Sequence, residues 1–232
     1  MRLSVFALIC LLLTACATQE KGRERISFNK EWRFALTEKQ ANASAPGTDD
    51  SDWRVLNLPH DWSIEADFSL DNPATPGGGA LPGGTGWYRK HFKLPESDKG
   101  KVIYIDFDGI YRNSKVWLNG HLLGFRPNGY VSFRYDLTPY LNYGKEENVL
   151  VVQADNSEQP NSRWYSGSGI YRNVWLVKTG QVHVDNWGTN ITTPVINADK
   201  STVEIETTLK NDASDVTVEV STLIQDKEGK TL

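Results

Sequence analysis

Apolar and polar residues alternate in short runs along most of the chain, with Gly, Pro, Asn and Asp between the runs. A period of two sends successive side chains to opposite faces of an extended strand, and helical spacing is scarce. Residues 101–107 place Ile103, Ile105 and Phe107 on one face. Residues 115–118 run into Asn119-Gly120 and then into 121–125. Asn-Gly between two such runs predicts a hairpin, because both turn positions need positive φ. Further strands are predicted at 133–137, ahead of Thr138-Pro139, and at 148–154 and 173–178. Many short strands with turn signals between them predict an all-β domain, a β-sandwich or jelly roll.

Two stretches break the pattern. Residues 71–86 hold Pro73, Pro76 and Pro82, with five glycines between Gly77 and Gly84. This composition predicts a surface loop with no regular element, leading into Trp87-Tyr88-Arg89. The second break falls at Thr179-Gly180, after which Thr, Val and Glu alternate at 203–206 and 216–220. The alternation predicts strands with one dry and one wet face, as in an immunoglobulin-like sandwich. Such a sandwich takes about 100 residues, and this region holds roughly fifty. The expectation is the first part of a domain that continues beyond the chain, or else a half-sandwich that pairs with another chain.

The N-terminus changes the picture of compartment. Met1-Arg2 is followed by an apolar run over residues 3–13 and then Thr14-Ala15-Cys16. The run is too short for a bilayer core, which needs about 20 residues, and it reads as a secretory signal. Small residues ahead of Cys16 resemble a bacterial lipoprotein processing site, with Cys16 as the lipidated mature end and 17–25 as a polar tether. The other reading is an ordinary leader cleaved near Ala17. Lipidation would tether the protein to the bacterial cell envelope, and no acidic run follows Cys16, which favours the periplasmic side. Cys10 lies inside the signal, so no internal disulfide is expected and stability must come from the core.

Composition adds exclusions. The chain is 39% hydrophobic and mildly acidic, with a formal charge of −4, which is not a nucleic-acid footprint. His60, His91, His121 and His183 lack ligand spacing, so no zinc site is expected. No cofactor is called for; a structural or activating metal ion stays open, although no calcium loop of EF-hand spacing occurs. Eight tryptophans are many for this length, and such rings serve a sandwich core or meet sugar faces. Asp49-Asp50-Ser51-Asp52 reads as a solvated turn, Asp61 as an anchor for its loop, and Asp106 and Asp108 as solvated or loop-anchoring groups.

The run at 161–176, NSRWYSGSGIYRNVWL, carries the strongest functional signal. Glycines let a loop approach another surface closely, and Arg, Trp and Tyr suit a sugar-facing or interface-facing loop. Ahead of it come, in order, Leu58-Pro59-His60-Asp61-Trp62-Ser63-Ile64, Gly86-Trp87-Tyr88-Arg89, Phe107-Asp108-Gly109, Val116-Trp117-Leu118-Asn119-Gly120, Gly129-Tyr130, Asp136-Leu137-Thr138 and Asn148-Val149-Leu150. This ordered set resembles the N-terminal sugar-binding-like domain of family 2 glycoside hydrolases, most of all the β-galactosidase branch.

The resemblance implies a galactose-binding-like jelly-roll β-sandwich over 26–178, then the first part of an immunoglobulin-like sandwich over 179–232, after a signal at 1–16. It also implies a downstream TIM barrel of about 250 residues, whose two glutamates carry out a retaining hydrolysis of a terminal β-galactoside or related sugar with carboxyls about 5–5.5 Å apart. No catalytic residue is assigned within this chain. Asn156, Arg163, Trp164 and Tyr165 would lie nearest the substrate, Arg163 donating to hydroxyls and Trp164 or Tyr165 stacking on a pyranose or packing on the barrel. A family asparagine contact in the Pro/Gly loop is not carried over, because Gly83-Gly84 occupies that place. A free-standing carbohydrate-binding or adhesion module is the alternative to the enzyme reading.

Overall fold

The computed structural model of the chain describes residues 22–37, 42–161 and 166–231. In chain order its strands are β1 (Glu24–Ser27), β2 (Trp32–Leu36), β3 (Arg54–Leu56), β4 (Gly84–Phe92), β5 (Val102–Phe107) and β6 (Ser114–Leu118). There follow β7 (His121–Arg126), β8 (Phe133–Asp136), β9 (Asn148–Asn156), β10 (Val174–Thr179), β11 (Val182–Ile196) and β12 (Ser201–Asn211). No α-helix occurs among the described residues, and none of their helical turns is long and apolar enough to cross a membrane.

Two antiparallel sheets face each other, ordered β1-β10-β5-β8 and β3-β2-β4-β9-β6-β7. The alternation explains why they stack. Ile103, Ile105 and Phe107 of β5 point inward with no exposed surface, opposite Tyr88, Val116, Leu118, Leu150 and Val152 of the larger sheet. Each such side chain contributes about 1.5–3 kcal/mol when fully buried. The all-β jelly-roll sandwich expected from the sequence is the fold observed. Its β6–β7 turn has Asn119 at φ 50° and Gly120 at φ 85°, the two positive angles that the Asn-Gly dipeptide demands.

Three local expectations are corrected. Asp50 is not a solvated turn residue but is 7% exposed. It receives Arg89 Nε and His91 Nε2, each at 2.7 Å. Arg89 projects from the outer face of β4 and is fully buried by the 42–50 loop, whose Ala43 and Ala45 carbonyls accept from it. A buried guanidinium needs acceptors and a counter-charge, and this loop supplies both. The 71–86 stretch does hold regular structure, a 3-10 turn at Pro76–Gly78 and the start of β4 at Gly84. Gly86 pairs with Leu36 of β2 and Ala154 of β9, and it is glycine because a Cβ there would lie 2.5 Å from the Trp62 ring.

The third correction lies after β10. The 203–206 run is part of β12, paired with β11 in a two-stranded sheet, but neither face is dry: Ile191 and Ile196 are 61% and 70% exposed. Residues 216–220 form no strand, and Val216, Val218 and Val220 are all exposed. No second layer lies across the hairpin among the described residues, so nothing dries one face of either run. The hairpin meets the sandwich through Tyr104, whose hydroxyl receives Lys210 Nζ at 2.9 Å and lies 3.3 Å from His183 Nε2.

Candidate functional site: a pinned loop base

The end of β9, the 58–65 segment and residues 166–170 converge at one end of the sandwich. Asp61 organises the meeting. Its Oδ1 accepts from the Ser63 backbone N–H at 3.0 Å, capping a 3-10 turn, and from the Ser168 N–H at 2.8 Å. The anchoring role expected of Asp61 is therefore what the structure shows. Ser63 donates to the Pro82 carbonyl, and its hydroxyl lies 2.6 Å from that of Ser168. Trp62 donates its indole N–H to the Gly83 carbonyl at 3.0 Å, joining the Pro/Gly loop to the same cluster.

Asn156, at the end of β9, is 1% exposed. Its amide donates to the Gly167 carbonyl and Ser168 Oγ, and its Oδ1 accepts from Asn161 Nδ2 at 2.9 Å. Asn156, one of the four residues that the family resemblance would put near a substrate, thus ties together the two roots of the 162–165 segment. Arg163, Trp164 and Tyr165 lie outside the described residues, as do the signal at 1–16 and Cys16. The neighbouring Gly83 is required by this tie, since a Cβ there would meet the Asn156 carbonyl at 2.5 Å.

Beneath the roots sits a buried aromatic and polar pair that sequence reading does not single out by role. His60 Nδ1 lies 2.7 Å from Tyr88 Oη, and its Nε2 lies 2.8 Å from Arg54 Nη2. A guanidinium only donates, so Nε2 accepts and the imidazole is neutral, with its proton on Nδ1 directed at Tyr88. Burial holds the His60 pKa below its ordinary value, against the opposing pull of Glu65. Burial likewise raises the Tyr88 phenol well above 10.0. Gly169 packs on this pair at φ 117°, and a Cβ there would be 2.2 Å from Tyr88 Oη. Both His60 and Tyr88 stand within sequence motifs already noted, but 28 positions apart.

This arrangement holds and orients the loop roots. Each buried carboxylate among the described residues has a partner: Asp50 has Arg89, Asp61 has backbone N–H groups, and Asp98 has Lys101 and Lys178. No group of three or more His, Cys, Asp or Glu side chains among the described residues could hold a metal ion.

Comparison with known proteins places this geometry. Residues 26–180 match the model of the sugar binding domain of glycosyl hydrolases family 2. The β-galactosidase BoGH2A of Bacteroides ovatus is 54% identical over 221 residues, covering 94% of this chain and 26% of that protein. A putative β-glucuronidase of Formosa agariphila is 42% identical, over 87% of this chain and 19% of its own length. Among solved structures, a β-glycosidase from Bacteroides vulgatus superposes with a TM-score of 0.78 at 42% identity, covering 83% of this chain and 25% of that one. The chain spans 19–26% of the length of these relatives. It belongs to glycoside hydrolase family 2, through that family's sugar-binding domain.

Proposed function

We propose that this chain is the N-terminal, non-catalytic portion of an exported β-galactosidase-like glycoside hydrolase, one that hydrolyses O-glycosyl bonds of a terminal β-galactoside or related sugar. The observation that carries the reading is the match to the sugar-binding domain over 26–180, in a chain that spans about a quarter of its relatives. The pinned base fits the role. Asn156, Asn161 and Ser168 fix the roots of the 162–165 segment, so that Arg163, Trp164 and Tyr165 form one wall of a substrate pocket. A downstream TIM barrel supplies the floor and both catalytic glutamates. Residues 179–232 begin an immunoglobulin-like domain whose second layer also comes from downstream. The exposed alternating residues Val216, Val218 and Val220 support this, because they need a partner strand and a covering sheet.

Export and anchoring belong to the same proposal. The signal at 1–16 directs secretion, and lipid on Cys16 holds the enzyme at the envelope, facing the periplasm. Cys16→Ser abolishes incorporation of radioactive palmitate if this is right. For the chemistry, the 232-residue chain and the longer product of the same locus are assayed side by side on p-nitrophenyl β-galactoside. Turnover is expected only from the longer protein, and hydrolysis by the shorter chain above background defeats the reading. Sugar binding by a chain whose reading frame ends without a barrel would favour the free-standing module instead.

A further inference from the structure

We propose that the cavity between the outer face of the four-stranded sheet and the bulge of β11 binds a carboxylate-bearing sugar, a uronic acid residue of a glycan. The open cavity has a volume of about 350 Å³, within the range of small-ligand pockets. This inference rests on the cavity alone and does not depend on the pocket-wall reading of residues 162–165.

One wall is Trp187. The β11–β12 register slips between Val184 and Thr189, and Trp187 stands in that bulge at φ 53° and 79% exposed. A bulge re-aims a side chain, and a bulky residue at positive φ persists only where its surroundings impose it. The bulge runs close against β12 at the next residue, where a Cβ on Gly188 would lie 2.8 Å from the Thr208 carbonyl. The result is an indole standing in water beside a charged cavity. Its flat apolar face matches the C–H face of a pyranose.

The charges choose the kind of sugar. Arg23, Arg25 and Arg134 line the cavity with Asp106 and Asp108. Both oxygens of Asp106 are taken by Arg134, at 2.6 and 2.7 Å. Asp108 accepts from the Trp175 indole at 3.0 Å. Arg25 stacks 3.8 Å over Trp175 and comes no closer than 3.5 Å to Asp108, while half its side chain is exposed. Its guanidinium fork therefore has donors facing solvent. Arg23 Nη2 donates to the Val184 and Asp185 carbonyls, so Arg25 carries the open donors, and three guanidinium groups against two engaged carboxylates leave an excess of positive charge. A neutral sugar would meet few open acceptors here, whereas a carboxylate matches the fork of Arg25.

The test titrates the chain with methyl β-D-glucuronide and methyl β-D-glucoside, following tryptophan fluorescence and calorimetric heat. Saturable binding of the glucuronide is expected, at least tenfold tighter than the glucoside and weakened by added salt. Arg25→Lys keeps the charge but loses the fork, and Trp187→Ala removes the flat face; each is expected to weaken binding tenfold or more without lowering the melting temperature. If Trp187→Ala disturbs the hairpin, Trp187→Phe takes its place and is expected to retain part of the affinity. Absence of saturation, equal affinity for the two glycosides, or parental binding by Arg25→Lys overturns the proposal. So does sulfate that competes as well as the glucuronide irrespective of residue 187, which would mark a bare anion site.

Discussion

At Gly169 two demands coincide, a φ of 117° and a Tyr88 hydroxyl 2.2 Å from where a Cβ would sit. Gly169→Ala is expected to destabilise the sandwich by about 3 kcal/mol or more, read as a lower urea midpoint with an unchanged m-value. Beneath it His60 is buried and neutral, with its pKa depressed below 6.5. The unfolded chain binds that proton first as pH falls, so stability is lost from about pH 6.5 downward until the folded pKa is passed. His60→Asn keeps a donor toward Tyr88 but does not titrate. Urea midpoints of the variant between pH 7 and 5 are expected to fall less steeply than those of the parent. The same scale shows what sequence conceals. Asp50 reads as solvated because its neighbours are polar; the Arg89 that buries it lies 39 positions away, and only the fold brings them together. Asp61 is legible because its partner Ser63 is two residues on, as local capping requires.

Among elements, the β6–β7 hairpin was written most plainly. Gly120→Ala must hold an L-residue at φ 85° with its Cβ 3.2 Å from Pro46 Cδ. A cost of about 1–2 kcal/mol is expected from the backbone angle, seen as a lower melting temperature, whereas Asn119→Gly is expected to cost less. Strands with buried partners, such as β5 and β8, are legible from alternation because a sheet lies across from each. The 216–220 run shows the same alternation and forms no strand. What separates it from the 203–206 run, also largely exposed, is a partner: 203–206 pairs with β11, whereas 216–220 has no pairing strand among the described residues. The 84–86 positions fail in the opposite way. Gly84 and Gly86 look like loop, yet they continue β4 by pairing with Asn156 and Ala154 of β9, and Trp62 leaves no room for a Cβ at Gly86.

For the whole molecule, stability is expected to be uneven. The sandwich shares one core of fully buried side chains, while β11 and β12 are largely exposed and touch it chiefly through Tyr104, His183 and Lys210. Hydrogen exchange is expected to protect the amides of β4, β5 and β9 up to global unfolding, and to release those of β11 and β12 orders of magnitude faster. Equal protection would mean that the hairpin folds as part of the core. The jelly roll was legible from the chain because its strands bury one another; the candidate site was legible only in outline. Its motifs stand out, but the roles of Asn156, Ser63 and Ser168 emerge from contacts between segments as many as 107 positions apart. Those contacts tie the two roots of 162–165 to each other through Asn156 and to Asp61 through Ser168. The order of the two roots is therefore set by residues that lie outside 162–165: Asn156, Ser168 and Asp61 hold one another and Asn161 across segments that the chain brings together only on folding.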